Sequence, residues 1–189
     1  MENQKNPKVT LRAVEPEDVD RMYIWENDPE LWPCGIVHAP LSRHQLWEYA
    51  NSADFNPLTN GQLRMIIEVE DEGEQTAESG RDVRNHGLKI PCGNIDLYDV
   101  DARNGRAFVG IMLTREFRGK GIASEALESI CKYAREALGL RLLAAEISGD
   151  NLSSLNLFRR ARFEQMGARP AWFRRPTGYV PSLEFLRKL

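Results

Sequence analysis

Four stretches of this 189-residue chain are strand-like, and in the first and third of them apolar and polar residues alternate, as they do in half-buried strands. The stretches are "KVTLRAV" (8–14), "QLRMIIEV" (62–69), "GNIDLYDV" (93–100) and "RAFVGIML" (106–113). Asn104-Gly105 separates the last two and predicts a hairpin, because both residues tolerate the positive φ that tight turns require. The last three strands are therefore expected to form an antiparallel meander.

Apolar residues at helical spacing predict three helices. The stretch "EPEDVDRMYIWEND" (15–28) opens with a proline suited to a first helical turn. In "LSRHQLWEYA" (41–50), Ser42 is a candidate cap. The longest helix is predicted over residues 122–138, where apolar residues recur every four positions and Gly139 follows as a C-cap.

The buried-type strand "RLLAAEI" (141–147) follows this helix, so the two strands flanking the helix should be parallel. A further helix is predicted at "NLSSLNLFRRA" (151–161), then a strand or hairpin from "ARPAWFRR" (168–175) to the end of the chain. The prediction is an α/β fold in one domain (1–189), with a mixed, mostly antiparallel sheet flanked by helices. Residues 70–89 are rich in acids and are predicted to be a mobile loop.

Composition excludes several classes of protein. A formal net charge of −3 argues against nucleic-acid binding, because there is no basic excess to neutralise phosphates. Cys34, Cys92 and Cys131 are widely spaced, which suits a reduced protein without structural zinc. Because no apolar run approaches membrane-spanning length, we expect a soluble, cytoplasmic protein with no membrane partner. His38 and His44 are expected to be surface or structural residues.

The stretch "LTREFRGKGIASEAL" (113–127) concentrates positive charge and glycine directly before the longest predicted helix. Backbone N–H groups at a helix start are unpaired and carry the positive end of the helix dipole, so they bind anions. Gly119 and Gly121 let the backbone approach a ligand closely, while Arg118 and Lys120 add charge. These features predict a pyrophosphate site over residues 118–123.

Other interpretations of this turn are a P-loop, a dinucleotide-binding turn and a flexible, solvated turn. The P-loop pattern is absent. A dinucleotide-binding turn has partial support: "GKGIAS" has Ser124 in place of a third glycine, and Glu146 ends the next strand, where a ribose-binding acid belongs. Against it, the five residues "TREFR" separate the strand from the first glycine, and that strand leaves an antiparallel hairpin. A solvated turn is the plain structural alternative.

The segment "RGKGIA" (118–123) resembles the R/Q-x-x-G-x-G/A signature of the GCN5-related N-acetyltransferase (GNAT) superfamily. Similarly, "DNLSSLNLFRRARF" (150–163) resembles that family's N-x-x-S-x-x-L-Y/F-x-x-x-G-F segment. The order of elements also matches, so the resemblance covers nearly the whole chain. It is closest to the branch of spermidine and ribosomal-protein N-terminal acetyltransferases, and it implies a parallel β-α-β crossover that splays to hold acyl-CoA.

The resemblance implies acetyl-CoA as co-substrate, and no metal is expected. Its pyrophosphate would lie on the backbone of residues 118–123, and its pantetheine arm along the end of the strand "VGIML" (109–113). Asn151 is interpreted as a helix cap. The resemblance implies that it also contacts CoA. The residues expected to contact CoA are Ile111, Met112, Leu113, Arg118, Gly119, Lys120, Gly121, Ile122, Ala123, Asn151, Ser154 and Phe158.

The chain departs from the family's pattern at two positions. Phe158 stands where many members carry a tyrosine that can protonate the leaving thiolate, and phenylalanine cannot do so. Its alternative role is that of a core residue beside Leu155. Arg162 replaces the usual glycine before Phe163.

Asp96 is the candidate for the amine-binding or proton-accepting group. Strand alternation puts it on one face with Asn94 and Tyr98, beside the strand expected to carry the acetyl group. A structural salt bridge is its equally weighted alternative. Weaker candidates for the same task are Glu68 and Glu26, and "LWPCGIVH" (31–38) is expected to line the acceptor pocket. The residues predicted to bind the acceptor are Glu26, Trp32, Glu68 and Tyr98.

We therefore predict an acetyl-CoA-dependent N-acetyltransferase whose acceptor is a small-molecule or peptide amine, with a polyamine such as spermidine as one candidate. The alternatives are a protein N-terminal acetyltransferase, which needs an open groove, and a non-catalytic acyl-CoA-binding module. A nicotinamide dehydrogenase ranks last. The sequence leaves the oligomeric state open, including a homo-oligomer.

Overall fold

The computed structural model describes residues 7–31, 39–52, 56–70 and 88–189. In these ranges the strands are β1 (Val9–Ala13), β2 (Leu63–Glu70), β3 (Lys89–Asp101), β4 (Arg106–Leu113), β5 (Leu142–Ser148), β6 (Glu164–Arg175) and β7 (Gly178–Lys188). The α-helices are α1 (Val19–Glu26), α2 (Arg43–Ala50), α3 (Pro57–Asn60), α4 (Ile122–Glu136) and α5 (Leu152–Arg160). The described strands form one sheet in the order β1-β2-β3-β4-β5-β7-β6.

The sheet is antiparallel throughout except where β4 lies parallel to β5. This confirms the predicted α/β class, the meander of β2, β3 and β4, and the crossover through α4. The hairpin after β3 is also confirmed. Its last strand pair is Asp101 with Arg106, so the turn contains residues 102–105, and Gly105 has a φ of +62°.

The larger core lies on the face of the sheet that α4 and α5 cover. The predicted four-residue repeat of α4 is buried here from Ile122 to Ala134, against the inward side chains of β3, β4 and β5. Leu155 of α5 belongs to the same cluster. Burial of this continuous apolar surface is the main force that holds both helices on the sheet.

The opposite face, which we call the α1–α2 face, is covered by helices only in part. Met22 of α1 and Leu46 of α2 pack with Ile66 of β2 in a second, smaller core. The helix α2 begins as predicted, because Ser42 accepts a hydrogen bond from the N–H of Gln45 and completes a capping box. Towards β4 and β5 the side chains on this face, such as Phe108, are half-buried.

The parallel pair β4–β5 is short and opens into a cleft. Only Arg106, Ala107 and Phe108 pair across to β5, where their partners run from Leu142 to Ala144. Both strands continue beyond this point, β4 to Leu113 and β5 to Ser148. Their ends therefore separate, as the splayed crossover predicts, and we call the space between residues 109–113 and 145–148 the β4–β5 cleft.

Candidate functional site

The glycine-rich turn lies between the end of β4 and the start of α4. Gly119 and Gly121 have φ values of +75° and +82°, a left-handed conformation that strains any residue with a side chain. The Nε of Arg118 donates to the carbonyl oxygen of Leu113 at 2.9 Å and thereby ties the turn to the last residue of β4. The sequence pattern of glycine plus charge thus folds into a fixed turn at the cleft.

The N–H groups of this turn are available to a ligand. Among the described residues, no N–H group from Gly119 to Ala123 donates a hydrogen bond within the protein. The 15-residue helix α4 adds the positive end of its dipole at the same point. The ammonium group of Lys120 lies 5.3 Å from the centre of the Phe117 ring. Consecutive free N–H groups with a nearby lysine fit a phosphate-bearing ligand.

The turn between β5 and α5 closes the other side of the cleft. Asn151 caps α5 as predicted, since its Oδ1 accepts from the N–H of Ser154 at 3.1 Å and from the hydroxyl of Ser153 at 2.9 Å. Ser154, one turn into the helix, is half-buried. The side-chain amide of Asn151 thus serves the helix, as the capping interpretation requires.

Phe158 lies in the core rather than on a surface. Its side chain is 3% exposed, and its ring meets the Phe163 ring edge-on at a centroid distance of 4.9 Å. Packing accounts for an apolar residue here. The neighbouring Arg162 has a φ of +62°, the conformation for which glycine is the usual choice.

Asp96 is joined to Arg64 by two hydrogen bonds. Nε of Arg64 donates to Oδ1 at 2.7 Å, and Nη2 donates to Oδ2 at 3.1 Å. The third nitrogen, Nη1, donates to Oε1 of Glu26 at 2.5 Å. Burial opposes the charge of Arg64, but Asp96 and Glu26 outweigh it and hold the pKa of Arg64 above its ordinary value. Two predicted acceptor residues, Asp96 and Glu26, are thus brought together by an arginine that sequence reasoning did not single out.

Glu68 belongs to a different cluster nearer the edge of the sheet. Its Oε1 accepts from Nε of Arg12 at 2.6 Å. Arg12 also donates to both carboxylate oxygens of Asp18, and this carboxylate chiefly raises the pKa of the guanidinium. Asp18 is 1% exposed and accepts from the N–H of Glu15 at the start of the α1 region. This geometry ties Glu68 to the docking of α1.

Tyr98 faces the same side of the sheet as Asp96 and stacks on Phe108 at a centroid distance of 5.5 Å. Burial first, and then the charge of Glu146, raise the pKa of the Tyr98 phenol to about 12. Gly110 pairs with Asp96 across the strands and has no side chain to cover the sheet there. A half-buried surface therefore extends from Asp96 past Tyr98 towards β5.

A third guanidinium lies between two carboxylates on the far side of this surface. Arg169 pairs with Glu146 at 3.4 Å and with Glu184, while Ser182 donates to Glu146 at 2.8 Å. The exposed Trp172 lies 4.7 Å from the guanidinium of Arg169. These residues come from β5, β6 and β7 and have no common motif, so nothing in their spacing could have identified them.

Some predicted residues lie outside the described ranges. These are Trp32, His38, Cys34 and most of the acidic segment 70–89. His44 is described, and its exposed ring pairs with Glu48 at 3.4 Å. Within the described ranges, no three His, Cys, Asp or Glu side chains are placed to hold a metal ion. The helices in those ranges lack the length and apolar character of a membrane-spanning segment.

Comparison with known proteins identifies the family. The family model for the acetyltransferase (GNAT) domain matches residues 8–164. The "Putative ribosomal N-acetyltransferase YdaF" of Bacillus subtilis (strain 168) is 34% identical over 166 residues, which are 86% of this chain and 81% of that protein. The "Uncharacterized N-acetyltransferase p20" of Bacillus licheniformis is 27% identical over 169 residues, 88% of this chain and 85% of that protein.

Solved structures share the fold at lower identity. Spermidine N-acetyltransferase from Vibrio cholerae, in complex with CoA and spermine, superposes with a TM-score of 0.76 at 19% identity and 95% coverage of both chains. The ribosomal L7/L12 alpha-N-protein acetyltransferase RimL, in complex with CoA, gives 0.75 at 18% identity, with 96% of this chain and 94% of that chain covered. The fold is that of N-acetyltransferases. The chain belongs to the acetyltransferase (GNAT) family, which confirms the resemblance in the sequence.

Proposed function

We propose that the protein transfers an acetyl group from acetyl-CoA to a primary amine, with the donor in the β4–β5 cleft and the acceptor on the α1–α2 face. The observation that carries this proposal is the run of free N–H groups from Gly119 to Ala123, directly beside the cleft. Such a run suits a pyrophosphate, which is the charged part of CoA. Both relatives described above are named as N-acetyltransferases, and two solved neighbours are in complex with CoA.

The chain would hold the donor mainly through its backbone. Residues 118–123 would bind the pyrophosphate, with Arg118 and Lys120 adding positive charge. The edge of β4 from residue 109 to residue 113 has no β5 partner, so its free polar groups are available to the amide-bearing pantetheine arm. Ile111, Met112 and Leu113 are the positions we assign to this contact, with Asn151 and Ser154 on the opposite side of the cleft.

When bound, acetyl-CoA supplies a thioester whose carbonyl carbon forms a bond to the amine nitrogen as its bond to sulfur breaks. A protonated amine must lose one proton before its nitrogen can attack, and it loses another as the amide forms, while the sulfur of CoA gains one. We assign the first of these, the proton of the ammonium ion, to Asp96, either directly or through one water, because a carboxylate can both attract an ammonium ion and take its proton. The proton lost as the amide forms passes to solvent. Phe158 is buried and cannot titrate, so solvent would also supply the proton that the sulfur gains.

The acceptor surface favours a cationic amine. Arg64 lies between Glu26 and Asp96, and Arg169 lies between Glu146 and Glu184, so each group has two carboxylates to one guanidinium. The two groups flank the half-buried surface at Tyr98 and Gly110. Two negative groups on either side of one surface suit an acceptor with more than one positive charge, such as a polyamine.

A peptide N-terminus is the second candidate acceptor. The observation that favours it is the partial cover of the α1–α2 face, where side chains near β4 and β5 remain half-buried. An open surface can admit an extended chain that an enclosed pocket would exclude. Trp172 is 53% exposed beside this surface and offers an apolar contact to such a chain.

The test is acetyl-CoA turnover against polyamines, aminoglycosides, amino acids and peptides with free N-termini, with CoA binding measured separately by calorimetry. We expect CoA binding and turnover with at least one primary amine. Turnover on polyamines but not on monoamines of equal length would support the doubly charged acceptor. CoA binding without turnover on any amine would indicate the non-catalytic acyl-CoA-binding module, and an absence of CoA binding would refute the proposal.

A further inference from the structure

A bonded group of three side chains fixes the end of β5 to the end of β6. Arg175, the last residue of β6, donates from Nε to Oδ2 of Asp150 at 2.6 Å and from Nη2 to Oδ1 at 3.0 Å. The same Nη2 donates to the hydroxyl of Ser148 at 2.7 Å, and that hydroxyl donates to Asp150 at 2.6 Å. We call these three residues the β5–β6 clamp.

The clamp is built tightly. The Arg175 side chain is only 14% exposed. The hydrogen bond from Arg175 lowers the pKa of Asp150 to about 2, with a further contribution from Ser148, so the carboxylate stays charged at neutral pH. Between the two clamped residues, Gly149 donates its N–H to the carbonyl of Pro181 at 2.8 Å. A Cβ on Gly149 would lie 2.8 Å from Cγ of Pro181, so the two segments touch here.

The clamp acts where β5 has lost its neighbour on one side. Beyond Ala144 the strand no longer pairs with β4, and its remaining strand partner is β7. Asn151, which caps α5, directly follows the clamped Asp150. Without a second strand beside it, this end of β5 is held by its pairing with β7, by the clamp to β6 and by the core packing of Ile147.

We propose that Arg175 is a positioning residue that sets the opening of the β4–β5 cleft, by holding Asp150 and the β5–α5 turn against the β6–β7 hairpin. This inference rests on the proposed function, because it assigns the cleft to acetyl-CoA. Arg175 itself touches neither substrate. Its effect passes through Asp150 and Ser148 to the wall of the cleft.

The experiment compares Arg175→Gln with Arg174→Gln. Arg174 is the adjacent residue of the same strand, is exposed, and its side chain has no hydrogen bond or ion pair within the described ranges. Both variants remove one positive charge from the same strand end, but only Arg175→Gln breaks the clamp. We expect the KM for acetyl-CoA and the Kd for CoA to rise roughly tenfold in Arg175→Gln. This is below the roughly 10²-fold that a 1 Å misplacement can cost, because the pairing of β5 with β7 remains. In Arg174→Gln both constants should stay at the wild-type value.

A structural role alone would lower the melting temperature and leave these constants unchanged, which would overturn the inference. Asp150→Asn keeps the shape of the side chain and weakens the clamp from its other end. It should also raise the KM for acetyl-CoA, so the inference remains testable if Arg175→Gln does not fold. In the double variant Arg175→Gln/Asp150→Asn, the KM for acetyl-CoA should rise no more than in the single variant with the larger effect, because both substitutions break the same clamp. Wild-type protein that does not bind CoA would refute the proposed function, whereas equal binding by wild type and both variants would refute only the role of Arg175.

Discussion

Arg64 holds Asp96 through both carboxylate oxygens, with N–O distances of 2.7 and 3.1 Å. The arrangement is bidentate, and the third nitrogen of the same guanidinium is bound to Glu26. The Arg64 and Asp96 side chains are 16% and 17% exposed, so solvent only partly screens this pair. Any change at Asp96 therefore alters the stability of the protein as well as its chemistry.

Asp96→Asn should lower kcat/KM for the amine roughly 10²-fold if the carboxylate takes the proton. It should also destabilise the fold by about 2 kcal/mol, which is less than the loss of a fully buried pair because Glu26 still neutralises Arg64. Steady-state kinetics with the amine varied, together with thermal unfolding, would measure both effects. CoA affinity should stay near the wild-type value.

The double variant Arg64→Gln/Asp96→Asn separates the two effects. With both charges removed, no guanidinium lies half-buried with one partner missing, but Glu26 loses its bond to Arg64, so only part of the lost stability should return. Turnover should remain low, since the double variant still lacks the carboxylate. If turnover returned together with stability, Asp96 would be a structural residue, and the search for the base would move to Glu68 or Glu26.

Gly121→Ala tests the pyrophosphate site. At a φ of +82° a methyl group strains the backbone of the turn that would hold the phosphate, and its nearest neighbour, Pro7, would be in ordinary contact at 3.7 Å. We expect a loss of stability of about 1 kcal/mol. The Kd for CoA should rise roughly tenfold, because the loss of one hydrogen bond to a charged group weakens binding by about that factor.

Gly139→Ala is the matched control for this variant. Gly139 follows the other end of α4, has a φ of +67°, and has no heavy atom within 4 Å of an added Cβ. The strain on the backbone is therefore similar, but the residue lies away from the cleft. Calorimetry on both proteins should find a change in CoA affinity only for Gly121→Ala. Equal CoA affinities in the two variants would show that the glycine-rich turn is not part of the CoA site.

Phe158→Leu tests whether any acid acts from this position. The ring is buried against Phe163, so its loss should lower the free energy of unfolding by about 1–2 kcal/mol. The pH dependence of kcat should be the same as in the wild type, because phenylalanine does not titrate. Loss of the alkaline limb of the rate profile in this variant would contradict our assignment to solvent of the proton that the sulfur of CoA gains.

Asp150 should contribute to stability in a defined pH window. Its pKa lies at about 2 in the folded protein, against an ordinary value of 3.8, because Arg175 and Ser148 bond to the charged form. Because the pKa is lower in the folded state, the contribution of Asp150 to the free energy of unfolding is fully present above about pH 4.5. It falls as the pH drops from there towards about 2. The stability difference between wild type and Asp150→Asn should therefore be constant from pH 5 to 7 and shrink below pH 4. A difference that persisted unchanged at pH 3 would show that the hydrogen bonds of Asp150 do not depend on its charge.

Much of the fold could be predicted because its signals are local. Strand-like apolar patterns identified the strands of the meander, and the four-residue repeat from Ile122 identified α4. Ser42 and Asn151 were recognisable as helix caps because a cap bonds to backbone only two or three residues away. The short helix α3 (Pro57–Asn60) was missed, since four residues are too few to show a helical period.

The glycine-rich turn was predicted for the same reason. The residues that shape it, Gly119 and Gly121, are neighbours in the chain, and the helix that supplies its dipole begins at the next residue. The resemblance to the GNAT family added a ligand class to this local pattern. Sequence alone therefore determined the fold class and the family, and it predicted the turn that we propose as the anion site.

Only the tertiary structure decided which side chains meet. Arg64 and Asp96 are 32 residues apart, and they face each other because the register of β2 and β3 pairs them. The two ends of the β5–β6 clamp, Asp150 and Arg175, are 25 residues apart and depend on the order of β5, β7 and β6 in the sheet. Contacts of this kind follow from strand register and sheet order, which are set by the packing of the whole core and leave no pattern in the neighbouring sequence.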